Sequence, residues 1–283
     1  MKSYLKYILL FTLIGIYSCE DVIDVQVPTT ASRLVIEASL DWQKGTSGNN
    51  QTIKLSLSSP YFDVNTDTSV TGASVKVTNN NSGEEFVFTD LNNGLYTINN
   101  FDPIINNSYT LEVVYNDEVY TASETLLPVP EITHVEQSLE GGIDDELLDV
   151  SVFWNDPVDE NNYYFVKFFE QGDLFVTLDV ESDEFTNGNE MDEFFEKDGE
   201  EGDHPSLHEF ESGDVVEISL YGVSEQYFNY LKLLLDQYYS NGDAFSTSPV
   251  EIRGNCINLS DANNYAFGYF RLAEYDSVEF TFD

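Results

Sequence analysis

RLVIEASLD, residues 33–41, is the first of several short runs in which apolar and polar residues alternate. Alternation puts every second side chain on one face, so the run predicts a strand with one buried face. Glycine, asparagine, aspartate and proline clusters separate it from similar runs, and no helical pattern interrupts them. These further runs are QTIKLSLS (51–58), ASVKVTN (73–79), EFVFTD (85–90), GLYTI (94–98), SYTLEVVY (108–115) and EVYTASE (118–124). Seven short strands within 33–127 predict an immunoglobulin-like β-sandwich.

Leu127-Pro128-Val129-Pro130 follows this set of strands and predicts a linker. A second β-rich domain is expected over 131–283. Its candidate strands are EITHVEQSL (131–139), ELLDVSVFW (146–154), NNYYFVKF (161–168), DVVEISLYG (214–222), YAFGYFRLAEY (265–275) and DSVEFTFD (276–283). The sequence therefore predicts an all-β fold of two β-sandwich domains.

Two segments of the second domain depart from the strand pattern. Residues 179–214 carry fifteen acidic side chains and one lysine, which predicts a surface insertion. Residues 224–240 predict an amphipathic helix, with Ser224 as its N-cap. Tyr227, Leu231, Leu234 and Tyr238 recur at helical spacing and are interpreted as core packing.

The first residues predict where the protein is held. Residues 1–18 combine two lysines with the apolar run YILLFTLIGIY, which has the length of a signal peptide and is too short to span a bilayer. Ile16-Tyr17-Ser18-Cys19 resembles a bacterial lipobox, with Cys19 as the lipidated residue. The alternative is an ordinary signal peptide that contains a cysteine. Residues 19–32 are then an acidic tether, anchored by several acyl chains.

Composition excludes some classes of partner. Removing residues 1–18 from the 283 leaves 265 residues with nine basic side chains (11 less Lys2 and Lys6) and 52 acidic ones, a net charge of −43. Such a chain repels nucleic acid, so no nucleic-acid partner is expected. The sequence has two cysteines. With Cys19 lipidated, Cys256 has no partner for a disulfide and is expected to be a small buried residue.

A series of short motifs, each weak alone, occurs in an order that resembles a known family. The motifs are Cys19-Glu20-Asp21-Val22-Ile23-Asp24, Arg33-Leu34-Val35-Ile36-Glu37-Ala38, Ser59-Pro60-Tyr61-Phe62, Gly72-Ala73-Ser74-Val75, Asp156-Pro157, Asn162-Tyr163-Tyr164, Ser248-Pro249-Val250, Gly254-Asn255 and Gly268-Tyr269-Phe270. Together they resemble Bacteroidota outer-membrane lipoproteins grouped as a domain of unknown function of the four-thousand series. The resemblance implies an accessory partner of a TonB-dependent β-barrel receptor. Glu20, Asp21 and Asp24 resemble the surface-export signal of such lipoproteins, and a solvated acidic tether is the alternative.

Candidate metal ligands are few. Asp63, Asn65 and Asp67 have the spacing that opens a calcium loop, but Thr68 and Ser74 stand where glycine and glutamate are required, so a solvated turn is favoured. His204 and His208 are four residues apart, but Pro205 lies between them, and surface histidines are favoured over a metal site. Diffuse calcium binding by the acidic insertion stays open. No cofactor is otherwise expected.

No nucleophile elbow, phosphate-binding loop or dinucleotide fingerprint occurs, so no catalytic residue is assigned and no enzyme is expected. The favoured hypothesis is a lipid-anchored, surface-exposed accessory protein of a TonB-dependent transporter in the outer membrane, which helps to capture ligand. The alternative is a stand-alone binding or adhesive module of the cell surface, stabilised by calcium.

Overall fold

The computed structural model describes residues 31–60, 65–158, 160–197, 208–239 and 251–283. The predicted signal peptide and nearly all of the tether lie outside these ranges. Ser32–Asp283 forms one compact unit. Its strands are β1 (Leu34–Gln43), β2 (Gln51–Leu57), β3 (Ser74–Asn79), β4 (Glu85–Asp90), β5 (Leu95–Ile98), β6 (Ser108–Tyr115), β7 (Glu118–Thr125), β8 (Ile132–Ser138), β9 (Asp149–Asn155), β10 (Tyr163–Glu170), β11 (Thr177–Ser182), β12 (Glu190–Glu196), β13 (Val215–Val223), β14 (Ile257–Asn258) and β15 (Phe267–Thr281). The helix α1 (Glu225–Tyr239) lies between β13 and β14.

The first seven strands form the predicted sandwich. One layer has the order β1-β2-β5 and the other β4-β3-β6-β7, and β4 pairs with a strand of each layer. Alternate residues of each strand point inward, as the sequence pattern predicts. They form one core in which Ile36, Ile53, Val77, Tyr96 and Tyr109 are fully buried. The all-β, sandwich-like fold is therefore confirmed.

A second pair of layers follows Pro130. Strands β11-β10-β13 and the second half of β15 form one sheet, and β12-β9-β8 form the other. Trp154 lies between the two sheets without exposed surface, and its ring meets that of Tyr164 edge to face at 5.3 Å. Val152, Val166 and Ile218 fill the same core. The second half of the chain thus repeats the sandwich arrangement.

Helix α1 covers the outer face of the four-stranded sheet. Ser224 Oγ accepts a hydrogen bond from Tyr227 N at 3.1 Å, so Ser224 caps the helix as predicted. Tyr227 and Leu231 are buried against the sheet, where Phe165 and Tyr221 meet them. The predicted helix over 224–240 is confirmed over Glu225–Tyr239, and residue 240 lies outside the described residues. None of the helices in the described ranges is long and apolar enough to cross a membrane.

The closing segment differs from the expectation of two strands, because β15 is a single strand of 15 residues. It pairs in parallel with β1 from Phe267 to Tyr275 and antiparallel with β13 from Tyr275 to Thr281. Pairing with β1 ends at Tyr275, and pairing with β13 begins at the same residue. The strand therefore continues through Asp276-Ser277 without a turn. The strand β14 also pairs with β7.

The C-terminal strands therefore extend the sheets of the first sandwich. The first hydrophobic core also contains Cys256, Ala266, Phe270 and Leu272, which lie in the predicted second domain. The boundary at 127–131 therefore does not separate the two cores along the chain. The division into independent domains at 33–127 and 131–283 stays a prediction.

The acidic segment 179–214 is not only a surface insertion. It contains most of β11 and all of β12, and Val180, Met191, Phe195 and Phe210 are buried. In β12 every second residue faces the core, and the acids between them face outward. The density of carboxylates obscured this alternation in the sequence, so the interpretation as a surface insertion was wrong for β11 and β12.

Candidate functional site

A cleft opens at one side of the second sandwich. The sheets end there at two facing edge strands, β11 and β12, and the last turn of α1 closes a third side. Its volume is about 570 Å³, which lies within the range of small-ligand sites. Most ligand pockets combine apolar walls with a few polar groups, and the lining here has the same mixture.

The walls carry exposed aromatic side chains. Phe175 is 73% exposed and precedes β11, while Tyr238 and Tyr239 are 69% and 64% exposed at the end of α1. Val176 and Ile143 line the cleft beside them. The predicted apolar face of the helix is buried at Tyr227 and Leu231. The prediction of core packing was wrong for Leu234 and Tyr238, which are 37% and 69% exposed. Grouped exposed apolar side chains are typical of interaction sites.

Three carboxyl groups lie together where the two sheet edges face each other. Glu193 points inward from β12 and is only 8% exposed. Burial, and then the neighbouring Asp179 and Glu181 of β11, raise its pKa to about 8. Burial also raises the pKa of Asp179 and of Glu181, and Lys232 of α1 acts in the opposite direction on both. Glu181 and Glu193 are close enough to hydrogen-bond, so the pair holds a proton at neutral pH.

The other charged groups of the lining are already engaged. Lys197 is buried and forms ion pairs with Glu170 and Asp173. The Nζ of Lys197 lies 3.0 Å from Oδ2 of Asp173. Glu196 Oε2 accepts hydrogen bonds from the backbone N–H groups of Ile143 and Asp144 at 2.8 and 3.3 Å. These contacts fix the walls. The carboxyl groups of Asp179 and Glu193 are the remaining acidic groups of the lining.

A second buried cluster holds α1 on the sheet. Arg271 of β15 donates two hydrogen bonds from Nη2 to the carboxylate of Asp41 at 2.7 and 2.6 Å, and one from Nη1 to the Tyr227 hydroxyl at 2.9 Å. Its guanidinium lies 4.8, 5.2 and 5.4 Å from the ring centroids of Tyr227, Tyr221 and Phe165. The cluster ties β1, β15, β13, β10 and α1 together and is structural.

The sequence-predicted site residues do not form this cleft. Cys19, Glu20, Asp21, Asp24 and Asp63 lie outside the described residues, as does His204. His208 is exposed, and His134 lies in β8 with its ring stacked on Phe153 at 4.3 Å. Asn65 and Asp67 lie in the segment before β3. Among the described residues no group of three or more histidine, cysteine or acidic side chains is placed to hold a metal ion.

The carboxylate of Asp67 is already engaged. Its Oδ1 accepts a hydrogen bond from Ser69 N at 3.0 Å, which lowers its pKa. This local bond is typical of a turn and stabilises the carboxylate without a cation.

We therefore expect the chelator EDTA to leave the melting temperature of the purified protein unchanged. A bound calcium ion would stabilise the folded state by mass action, and its removal would lower the melting temperature. The measurement is a thermal melt followed by circular dichroism, with and without EDTA. Asp67→Asn is the matched variant. A drop on chelation that Asp67→Asn abolishes would contradict the turn interpretation.

Sequence reasoning missed the cleft because its residues come from four separated parts of the chain. The available signal was Leu174-Phe175-Val176, three consecutive apolar residues directly before an alternating strand. Such a run on a surface segment indicates either a core position or an interaction site.

Comparison with known proteins adds the family. No curated protein matches the sequence. Among solved structures, a DUF4785 family protein from Legionella pneumophila is similar at 14% identity and a TM-score of 0.25, over 68% of this chain and 53% of that one. The chain thus spans about half the length of the Legionella protein. A segment of two fibronectin type-III domains of chicken tenascin is similar at 11% identity and a TM-score of 0.20, over 60% of this chain and 83% of that one. The FN1–FN3 domains of chicken CNTN1 are similar at 13% identity and a TM-score of 0.25, over 66% of this chain and 57% of that one.

A family profile described as "Domain of unknown function (DUF4249)" matches residues 20–279. This match covers nearly the whole chain and includes both sandwiches, α1 and the cleft. The chain therefore belongs to the DUF4249 family.

Proposed function

We propose that the protein is a non-enzymatic, lipid-anchored accessory protein of a TonB-dependent transporter in the outer membrane, and that it helps to capture ligand. The cleft between β11, β12 and the end of α1 is the observation that carries this proposal. It is an exposed concave surface with aromatic walls, which suits binding. We assign this face of the second sandwich to the contact with the partner.

The leader supports the place of action. The run ending at Cys19 resembles a lipobox, and a lipid-anchored protein in the outer membrane lies beside β-barrel receptors. Glu20, Asp21 and Asp24 support exposure at the cell surface of a Bacteroidota species. The net charge of −41 for the whole chain favours partners with cationic surfaces.

The test is co-purification from detergent-solubilised outer membranes of the source cells. The tagged full chain is expected to bring down a β-barrel receptor of the TonB-dependent class. Phe175→Ser removes an exposed aromatic side chain from the cleft and is expected to reduce the recovered receptor. Val87→Ser is the matched control, since Val87 is 61% exposed on β4 of the first sandwich. Recovery of the tagged protein without any β-barrel receptor would contradict the proposal and favour the stand-alone surface module.

A further inference from the structure

The cleft combines aromatic rings with carboxylates in one concave surface. Tyr238 and Tyr239 meet edge to face at 5.3 Å, and Phe175 lies on the same lining. Asp179 and Glu193 lie among them. Of the residues that line the cleft, Lys197 alone is cationic, and its side chain is committed to Glu170 and Asp173.

This composition selects the charge of a ligand. Aromatic faces carry negative potential and attract guanidinium and ammonium groups, and the attraction strengthens when water is excluded. Carboxylates add charge-assisted hydrogen bonds to the same groups. An anionic ligand would meet the carboxylate of Asp179, and repulsion in a partly desolvated site would oppose its binding.

The protein already uses this chemistry internally. The Arg271 guanidinium is held by the Asp41 carboxylate and by the rings of Phe165, Tyr221 and Tyr227. The residue types around Arg271 are the same as those that line the cleft. In the cleft, Lys232 of α1 is near enough to act on the Asp179 carboxylate. Among the described residues, however, no arginine or lysine that lines the cleft lies over the rings of Tyr238 and Tyr239.

We propose that the cleft binds an arginine or lysine side chain presented by a segment of the partner protein, with Asp179 as the counter-ion and Phe175, Tyr238 and Tyr239 as the surrounding rings. This inference rests on the proposed function, because it names the kind of partner group that the same cleft accepts. Charge complementarity selects the occupant. The cleft is large enough for one such side chain with its neighbouring residues.

The test is isothermal titration calorimetry of the full chain in detergent with a short peptide probe, acetyl-Ala-Arg-Ala-amide. A second probe replaces arginine by citrulline, which keeps the shape and removes the charge. The arginine probe is expected to bind at least about tenfold more tightly than the citrulline probe, and its affinity is expected to fall as salt is added.

Variants locate the binding. Asp179→Asn and Tyr239→Ala are each expected to weaken the arginine probe by about fivefold or more. Glu131→Gln removes one exposed charge outside the cleft, and Phe185→Ala removes a ring that is 91% exposed and outside the lining. Both controls are expected to leave the affinity unchanged, and a thermal melt of each variant checks that it is folded.

Three results would overturn the inference. They are equal affinity for the citrulline probe, an effect of Glu131→Gln as large as that of Asp179→Asn, or no heat of binding at probe concentrations of about 1 mM. Failure of this titration together with recovery of a β-barrel receptor would reject the cationic side chain and keep the accessory role. Binding of the arginine probe without any recovered receptor would keep the cationic side chain as the ligand of the cleft and reject the accessory role.

Discussion

Replacing Arg271 by alanine is expected to lower the free energy of unfolding by about 3–5 kcal/mol, which is the usual effect of removing one partner from a buried ion pair. Arg271 is 5% exposed, and its guanidinium makes three hydrogen bonds, two to Asp41 and one to Tyr227. Its removal leaves the Asp41 carboxylate, which is 27% exposed, without its ion-pair partner, and it opens a cavity beneath α1. Urea denaturation followed by circular dichroism measures the difference in the free energy of unfolding between the variant and the unaltered protein.

Two further variants separate charge from geometry. Arg271→Lys keeps the charge but loses the two-pronged contact with Asp41 and the stacking, so an intermediate loss is expected. Lys54→Ala is the control at the surface, where Lys54 pairs with Glu37 at 2.8 Å and both side chains are about half exposed. A loss of less than about 0.5 kcal/mol is expected there. If Arg271→Ala were equally mild, the buried cluster would not hold α1 as described.

The stability of the protein is expected to fall as the pH rises from about 5 to about 8, and Glu193→Gln is expected to remove much of this fall. Burial and the nearby carboxylates raise the pKa of Glu193 to about 8, from an ordinary value near 4.5. Between these values the folded state binds a proton that the unfolded state has released. The contribution of Glu193 to the free energy of unfolding is therefore complete below about pH 4.5 and is lost as the pH passes 8.

The measurement is urea denaturation at a series of pH values for the protein and for two variants. Glutamine keeps the size of Glu193 without the charge, so Glu193→Gln should be more stable than the unaltered protein at pH 8 and differ least near pH 5. Glu190→Gln on the same strand removes an exposed carboxylate and controls for the general repulsion of a highly acidic chain. Parallel pH profiles for Glu193→Gln and the unaltered protein would contradict the shared proton.

The strands of the first sandwich could be predicted because their alternation is local. Ile53, Leu55, Val75 and Val77 are buried as the two-residue period requires. Ser224 and the helical spacing of Tyr227 and Leu231 likewise contain the information for α1. In β12, by contrast, Glu193 occupies an inward position, so the pattern of apolar residues has a gap where the site requires a carboxyl group.

The cleft could not be predicted because it depends on long-range pairing. Phe175, Glu193 and Tyr239 are brought together only when β11 and β12 take their places at the edges of two different sheets. The spacing of Asp63, Asn65 and Asp67 could be compared locally with that of a calcium loop, and the comparison favoured a turn. Local spacing identifies metal loops and caps, whereas a cleft between sheet edges has no linear signature.

The long strand β15 has a consequence for how the protein is made. Phe267 pairs with Val35, so the first layer to be synthesised gains one of its neighbours only when nearly the whole chain is available. Pairings between such distant segments are slow to form. During synthesis, the edge of β1 therefore stays unpaired until the last strand is made. The pairing that joins the two sandwiches is therefore completed only at the end of synthesis.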